Sequence, residues 1–243
     1  MKKSIKLLIC SLFLLSTVAN AQWSKNRIKG NGKVVTNNRS TADYDEIKVS
    51  GFFDVDLVSG KEGAITVKAE ENLQAYIKVE VEGNILKIYT EKNTSISPSS
   101  GKTVQITVPF EKISAISLAG SGDVRSKSII KSDSFSAALS GSGDLNLNVD
   151  ATKFDLSVSG SGDIVLKGNT GSFVTKLSGS GDIDAGSLKA KNVDITISGS
   201  GDSKVFCSEN LKARVSGSGD IEYIGNPKTK DTKVNGSGSI SKA

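Results

Sequence analysis

The chain has 243 residues, with 31 lysines and arginines against 26 acids, no histidine and two cysteines. Lacking histidine, it lacks the commonest general base and metal ligand at neutral pH. Its formal charge of +5 falls to +2 once residues 1–21, which carry three lysines and no acid, are set aside, and that small excess argues against nucleic acid as a partner.

Residues 1–21 open with Lys2, Lys3 and Lys6, continue through an apolar run from Leu7 to Leu15, and end in Ala19-Asn20-Ala21. This is the pattern of a secretory signal peptide cut before Gln22. The apolar run is well short of the roughly 20 residues a span needs. The mature chain is therefore expected in the periplasm, at the cell surface or outside the cell, and not as an integral membrane protein. Cys10 lies in the removed segment, so Cys207 stands alone, no intramolecular disulfide is possible, and a buried, inert thiol is expected.

Residues 22–57 read as two degenerate turns of a repeat. One holds Ile28, Gly30-Asn31-Gly32 and Val34; the other holds Ile47, Val49, Ser50-Gly51, Asp54, Val55 and Leu57. The first is expected to cap the apolar end of a stack. Residues 58–112 read as an inserted lobe of strands at 65–67, 77–81, 86–89 and 104–108, with a hairpin turn at Gly83-Asn84 and a polar loop over 93–102. Pro109 is expected to end the last of these strands.

Residues 113–243 repeat Gly-Ser-Gly-Asp, with aspartates at 123, 144, 163, 182, 202 and 220 and Ser239 in the last copy. The spacings are 21, 19, 19, 20, 18 and 19 residues. A unit this small cannot bury an apolar face alone and must stack on its neighbours. Nine residues before the aspartates stand Phe135, Phe154, Phe173, Val193 and Leu211; seven before, residues such as Leu156 and Ile195; five before, residues such as Leu139 and Val158. Polar or small residues lie between, which is period-2 alternation with one buried face. After the corner the rule resumes with Leu145, Ile164 and Ile183. The fold class is all-β. A parallel β-helix of about 19-residue coils is expected, with the antiparallel barrel or sandwich of repeated hairpins as the alternative. Stacking puts each position beside its own copy, which a meander does not.

The signal peptide, the phrase Ser50-Gly51-Phe52-Phe53-Asp54-Val55, the strand Val104–Pro109 and the repeated Ser-Gly-Ser-Gly-Asp together resemble the bacterial GIN family, described as head domains of auto-transporter adhesins and frequent in the Bacteroidetes. The resemblance covers nearly the whole mature chain. It implies a single-stranded right-handed β-helix and an adhesive role, and it carries over no catalytic residue. No long segment follows Ser239 to form a membrane β-barrel, so self-export is not expected.

The aspartates admit two readings. Each carboxylate accepts N–H bonds from its own glycine corner, or Asp144, Asp163, Asp182 and Asp202 hold calcium through carboxylate and carbonyl oxygens. An enzyme acting on polysaccharide would need an acid–base pair on one face of a few coils. The outward Asp184, Lys204 and Glu222 read instead as scattered surface. Trp23, Phe52 and Phe53 are the candidate surface contacts, with Phe53 facing the turn rather than the core. A non-catalytic envelope module binding a surface glycan or protein is favoured over a polysaccharide-processing enzyme or a purely structural protein. The sequence does not fix the oligomeric state.

Overall fold

A computed structural model describes residues 26–243. The expected signal peptide and Trp23 lie outside the described residues. Residues 26–112 form nine strands: β1 (Asn26–Lys29), β2 (Val34–Ser40), β3 (Glu46–Gly51), β4 (Asp54–Ser59), β5 (Ala64–Glu70), β6 (Ile77–Glu82), β7 (Ile85–Thr90), β8 (Thr94–Ser97) and β9 (Gln105–Phe110), with a 3-10 turn at Glu71–Tyr76. Ten more follow: β10 (Ala115–Gly120), β11 (Val124–Ser126), β12 (Ile130–Gly141), β13 (Leu145–Gly160), β14 (Ile164–Gly179), β15 (Ile183–Gly199), β16 (Ser203–Gly217), β17 (Ile221–Ile224), β18 (Thr229–Gly236) and β19 (Ile240–Lys242). No helix among the described residues is long and apolar enough to cross a membrane.

From β10 onward every pairing is parallel and joins equivalent positions of successive repeats. Phe135 lies beside Phe154, Phe154 beside Phe173, Phe173 beside Val193 and Val193 beside Leu211. The hairpin alternative is thereby excluded, since it requires antiparallel neighbours. The chain is a parallel β-solenoid whose coils are strand, glycine corner and strand, with a second bend on the far side. Alternation sends the apolar set inward: Phe135, Phe154 and Phe173 are fully buried, with ring centroids 5.4 and 5.3 Å apart. Centroids at that separation, tilted by 48° and 40°, let ring edges meet ring faces as aromatic quadrupoles prefer.

The lobe extends the same stack by other means. β3 and β4 form the first coil and pair in parallel with β10 and β11 on one flank. On the other flank they pair with β7 and β9. β6 then joins β7, and β5 joins β9, both antiparallel. These strands cover a solenoid end that would otherwise present unpaired backbone.

Two expectations change here. Residues 28–34 do not make a coil: β1 pairs with β8 in a separate two-stranded sheet, and β2 runs antiparallel to β5. The reason lies in β2 itself, Val-Val-Thr-Asn-Asn-Arg-Ser, which has no alternating apolar set and stays largely exposed. Nor does Pro109 end its strand. β9 continues to Phe110, with Pro109 opposite Val58. β5 pairs with β9 only as far as Thr107, so on that flank Pro109 has no strand facing it. The Tyr44 hydroxyl donates to the Pro109 carbonyl and ties the lobe to the first coil.

The last coil turns part of the inward face polar. Lys230, Thr232 and Lys242 occupy the columns of Leu211, Ala213 and Tyr223. Val234 and Ile240 keep the columns of Val215 and Ile221 apolar, so the interior meets solvent through a mixed, partly polar coil.

Candidate functional site

The aspartates form a ridge along one corner, joined in a way the sequence did not show. Each carboxylate accepts the backbone N–H of the next aspartate in the stack, not of its own corner. Asp163 N–H donates to Asp144 Oδ1 at 2.9 Å, Asp182 to Asp163 at 3.2 Å, and Asp202 to Asp182 at 2.8 Å. Ser239 closes the series on Asp220 through its N–H at 2.7 Å and its hydroxyl at 3.0 Å. Charge-assisted bonds of this kind offset the repulsion of stacked carboxylates. They occupy one oxygen per coil in the positions considered for calcium, Asp144, Asp163, Asp182 and Asp202. Among the described residues no three acids, cysteines or histidines are grouped to hold a metal ion.

At the head of the ridge, Phe53 occupies the column of the corner glycines and is buried in the core rather than facing the turn. A Cβ on Gly122 would lie 2.1 Å from the Phe53 carbonyl oxygen, and a Cβ on Gly143 would lie 1.9 Å from that of Gly122. Each corner thus leaves room for a side chain only where no coil precedes it. The first coil is that place, because the chain between β7 and β9 leaves the stack through β8, which pairs with β1 instead. Phe52 lies half-exposed against Phe53, with centroids 5.2 Å apart. Of the three expected contact residues, only Phe52 is at the described surface.

Asp184, Lys204 and Glu222, read as scattered, stand in one column. Lys204 pairs with Glu222 at 3.0 Å. Cys207 is buried, its thiol donates to the Asn210 carbonyl at 3.2 Å, and burial pushes its pKa up. A thiol held protonated in this way is a poor nucleophile.

The concavity with the most to offer a ligand is a groove of about 960 Å³ along the second bend. One wall follows a single register through five coils: Lys131, Asp150, Asn169, Lys189, Phe206. Four strand spacings make this run about 19 Å long. Thr152, Gly171 and Lys191 line the other side, and the small side chains of Ala151, Thr170 and Ala190 lie between. Lys189 holds its ammonium 4.1 Å above the Phe206 ring. Sequence reasoning missed this site, although a signal existed. Lys131, Asp150, Asn169 and Lys189 each lie thirteen residues before a corner aspartate, and Phe206 lies fourteen before Asp220.

A family model described as "Putative auto-transporter adhesin, head GIN domain" matches residues 43–227. The solved structure of a "putative adhesin" from Bacteroides fragilis NCTC 9343 superposes with a TM-score of 0.82 at 24% identity, covering 89% of this chain and 100% of that one. A "putative lipid binding protein" from Parabacteroides distasonis ATCC 8503 gives 0.71 at 28% identity, with 89% and 99% covered. A "putative adhesin" from Parabacteroides merdae ATCC 43184 gives 0.67 at 23% identity, with the same coverage. No curated protein sequence matches the chain.

Proposed function

From the premise that this chain belongs to the GIN head-domain family, we infer that it is an exported, non-catalytic adhesion module whose binding surface is the groove at the second bend. Three lines support the reading: the signal-like residues 1–21, the relatives described as adhesins, and the groove's composition. The observation that carries it is geometric. The groove crosses successive coils along the solenoid axis, so a long ligand gains contacts from each coil it passes. Its sides mix charge, amide and hydroxyl groups over a small-residue floor, a composition suited to hydrogen-bonding an extended polar ligand at a surface. The partner is a surface glycan or protein.

The test uses residues 22–243 on a panel of immobilised glycans and matrix proteins. Thr152 is exposed in the groove, so Thr152→Trp fills it without touching the core. The variant is expected to lose binding while keeping its thermal unfolding midpoint. Full binding by a folded Thr152→Trp protein overturns the assignment of the groove.

A further inference from the structure

We propose that the groove takes an acid-bearing glycan, whose anionic group docks against Lys189 and Lys191 at the end marked by Phe206. This rests on the assignment of the groove as the binding surface.

Lys189 and Lys191 belong to one coil and both line the groove. Neither forms an ion pair among the described residues, whereas lysines elsewhere do, such as Lys204 with Glu222 and Lys212 with Asp194. Two ammonium groups without a counter-charge, one on each side of the groove, favour an anion between them. Phe206 adds pre-organisation. A lysine normally keeps most of its rotamer freedom and loses it on binding, but here the ring holds the Lys189 ammonium in place by a cation–π contact. At the other end Lys131, three coils and about 14 Å away along the same wall, forms no ion pair among the described residues but shares the groove with Asp45 and Asp133, so the anionic group is placed at the Lys189 end.

The stretch between these lysines decides what carries the anionic group. Asp150 and Asn169 occupy the intervening positions. A carboxylate there repels a polymer charged at every unit, such as a polyglutamate segment or a nucleic acid strand, and accepts hydrogen bonds from sugar hydroxyls. An extended peptide would gain most by pairing its backbone with a free strand edge. None is offered here, because β13 and β14 are already paired on both sides. A polymer rich in hydroxyls with intermittent acid groups satisfies the Lys189–Lys191 end and the stretch beyond it.

The experiment measures binding of residues 22–243 to oligosaccharides of hyaluronan and unsulfated chondroitin, which carry one carboxylate on every second sugar, with polygalacturonate, neutral dextran oligosaccharides and poly-L-glutamate alongside. At least one acidic oligosaccharide is expected to bind tenfold or more tightly than dextran and than polyglutamate, and its affinity should fall as salt rises. The double variant Lys189→Gln/Lys191→Gln is expected to lose at least tenfold. Phe206→Leu should lose several-fold, and Phe206→Tyr, which keeps a ring beneath the ammonium, should retain most of the affinity. Lys87→Gln/Lys212→Gln, away from the groove, should change nothing.

No preference over dextran, or no loss in the double lysine variant, overturns the anionic assignment. Polyglutamate binding as tightly as the best oligosaccharide overturns the glycan. Either failure, with Thr152→Trp still abolishing whatever binding exists, leaves the groove itself standing. Binding that survives Thr152→Trp removes both.

Discussion

Gly160 and Gly162 share one corner and are glycines for different reasons. Gly160 has φ +138°, and a Cβ there would also lie 2.0 Å from the Gly141 carbonyl oxygen. Gly162 has no positive φ, but its Cβ would lie 1.8 Å from the Gly143 oxygen. Gly160→Ala thus combines a left-handed penalty of about 1–2 kcal/mol with overpacking of roughly 1–3 kcal/mol, while Gly162→Ala carries overpacking alone. Denaturant unfolding should place both variants more than about 1 kcal/mol below the parent, with Gly160→Ala the lower. Ser161 is exposed, and Ser161→Ala should lose little. Two carboxyl groups of the N-terminal region have pKa values shifted in opposite directions. Glu70 is buried and accepts bonds from the Ser99 hydroxyl at 2.6 Å, the Ser99 N–H at 2.8 Å and the Gly32 N–H at 2.5 Å. The Ser99 hydroxyl bond is the main cause of its lowered pKa. Its stabilisation is present above the ordinary carboxylate range and is lost as pH falls through the lowered value. Asp54 is raised, chiefly by burial and then by the Asp123 carboxylate beside it, so its ionised form opposes folding once pH exceeds the ordinary range. Glu70→Gln should lower the melting temperature at neutral pH, Asp54→Asn should raise it slightly, and both differences should vanish in strong acid. A Glu70→Gln protein as stable as the parent at pH 7 would show that the three bonds contribute nothing net.

The phenylalanine column and the capping phenylalanine separate two kinds of element. Phe154 is packed between identical residues on both neighbouring coils, so truncation leaves a cavity the solenoid cannot collapse around. Phe154→Ala should cost roughly 3–5 kcal/mol, the range for a large buried aromatic. Phe53 is equally buried but sits at the head of the column of corner glycines. Phe53→Ala should loosen residues 50–58 and 120–124 first, seen as faster amide exchange there than in β14. Uniform exchange across the chain would contradict a cap of local reach. These two residues also mark what sequence could reveal. The Phe154 column was legible because a 19-residue period and parallel stacking put like beside like, so one repeat predicts the next. Phe53 was misread because alternation alone places it on the turn, and only the missing coil beneath it lets the ring turn inward. The pairing of β2 with β5 and of β6 with β7 was hidden for a related reason, since antiparallel partners share no residue pattern. The groove escaped because its wall lies beyond the nine residues over which the apolar rule runs.

Over the whole molecule, each regular coil touches only its neighbours through the same set of bonds, so stability is a sum of coil and interface contributions between two specialised ends. The aspartate ridge belongs to that repeating set, with its inner oxygens bonded from coil to coil. The melting temperature in millimolar calcium should therefore equal that in EDTA. A rise of several degrees with calcium would instead show that Asp144, Asp163, Asp182 and Asp202 hold the ion. The ridge has another consequence. Since Asp163 and Asp182 occupy equivalent positions, deleting residues 164–182 joins Asp163 to Ile183 with every column back in register. The Phe53 cap and the Lys230 end remain as they were, and the distance from Lys131 to Lys189 shortens by one strand spacing, about 4.8 Å. The molecule is a ruler graduated in coils, and its span can be reset one graduation at a time by gain or loss of a single repeat.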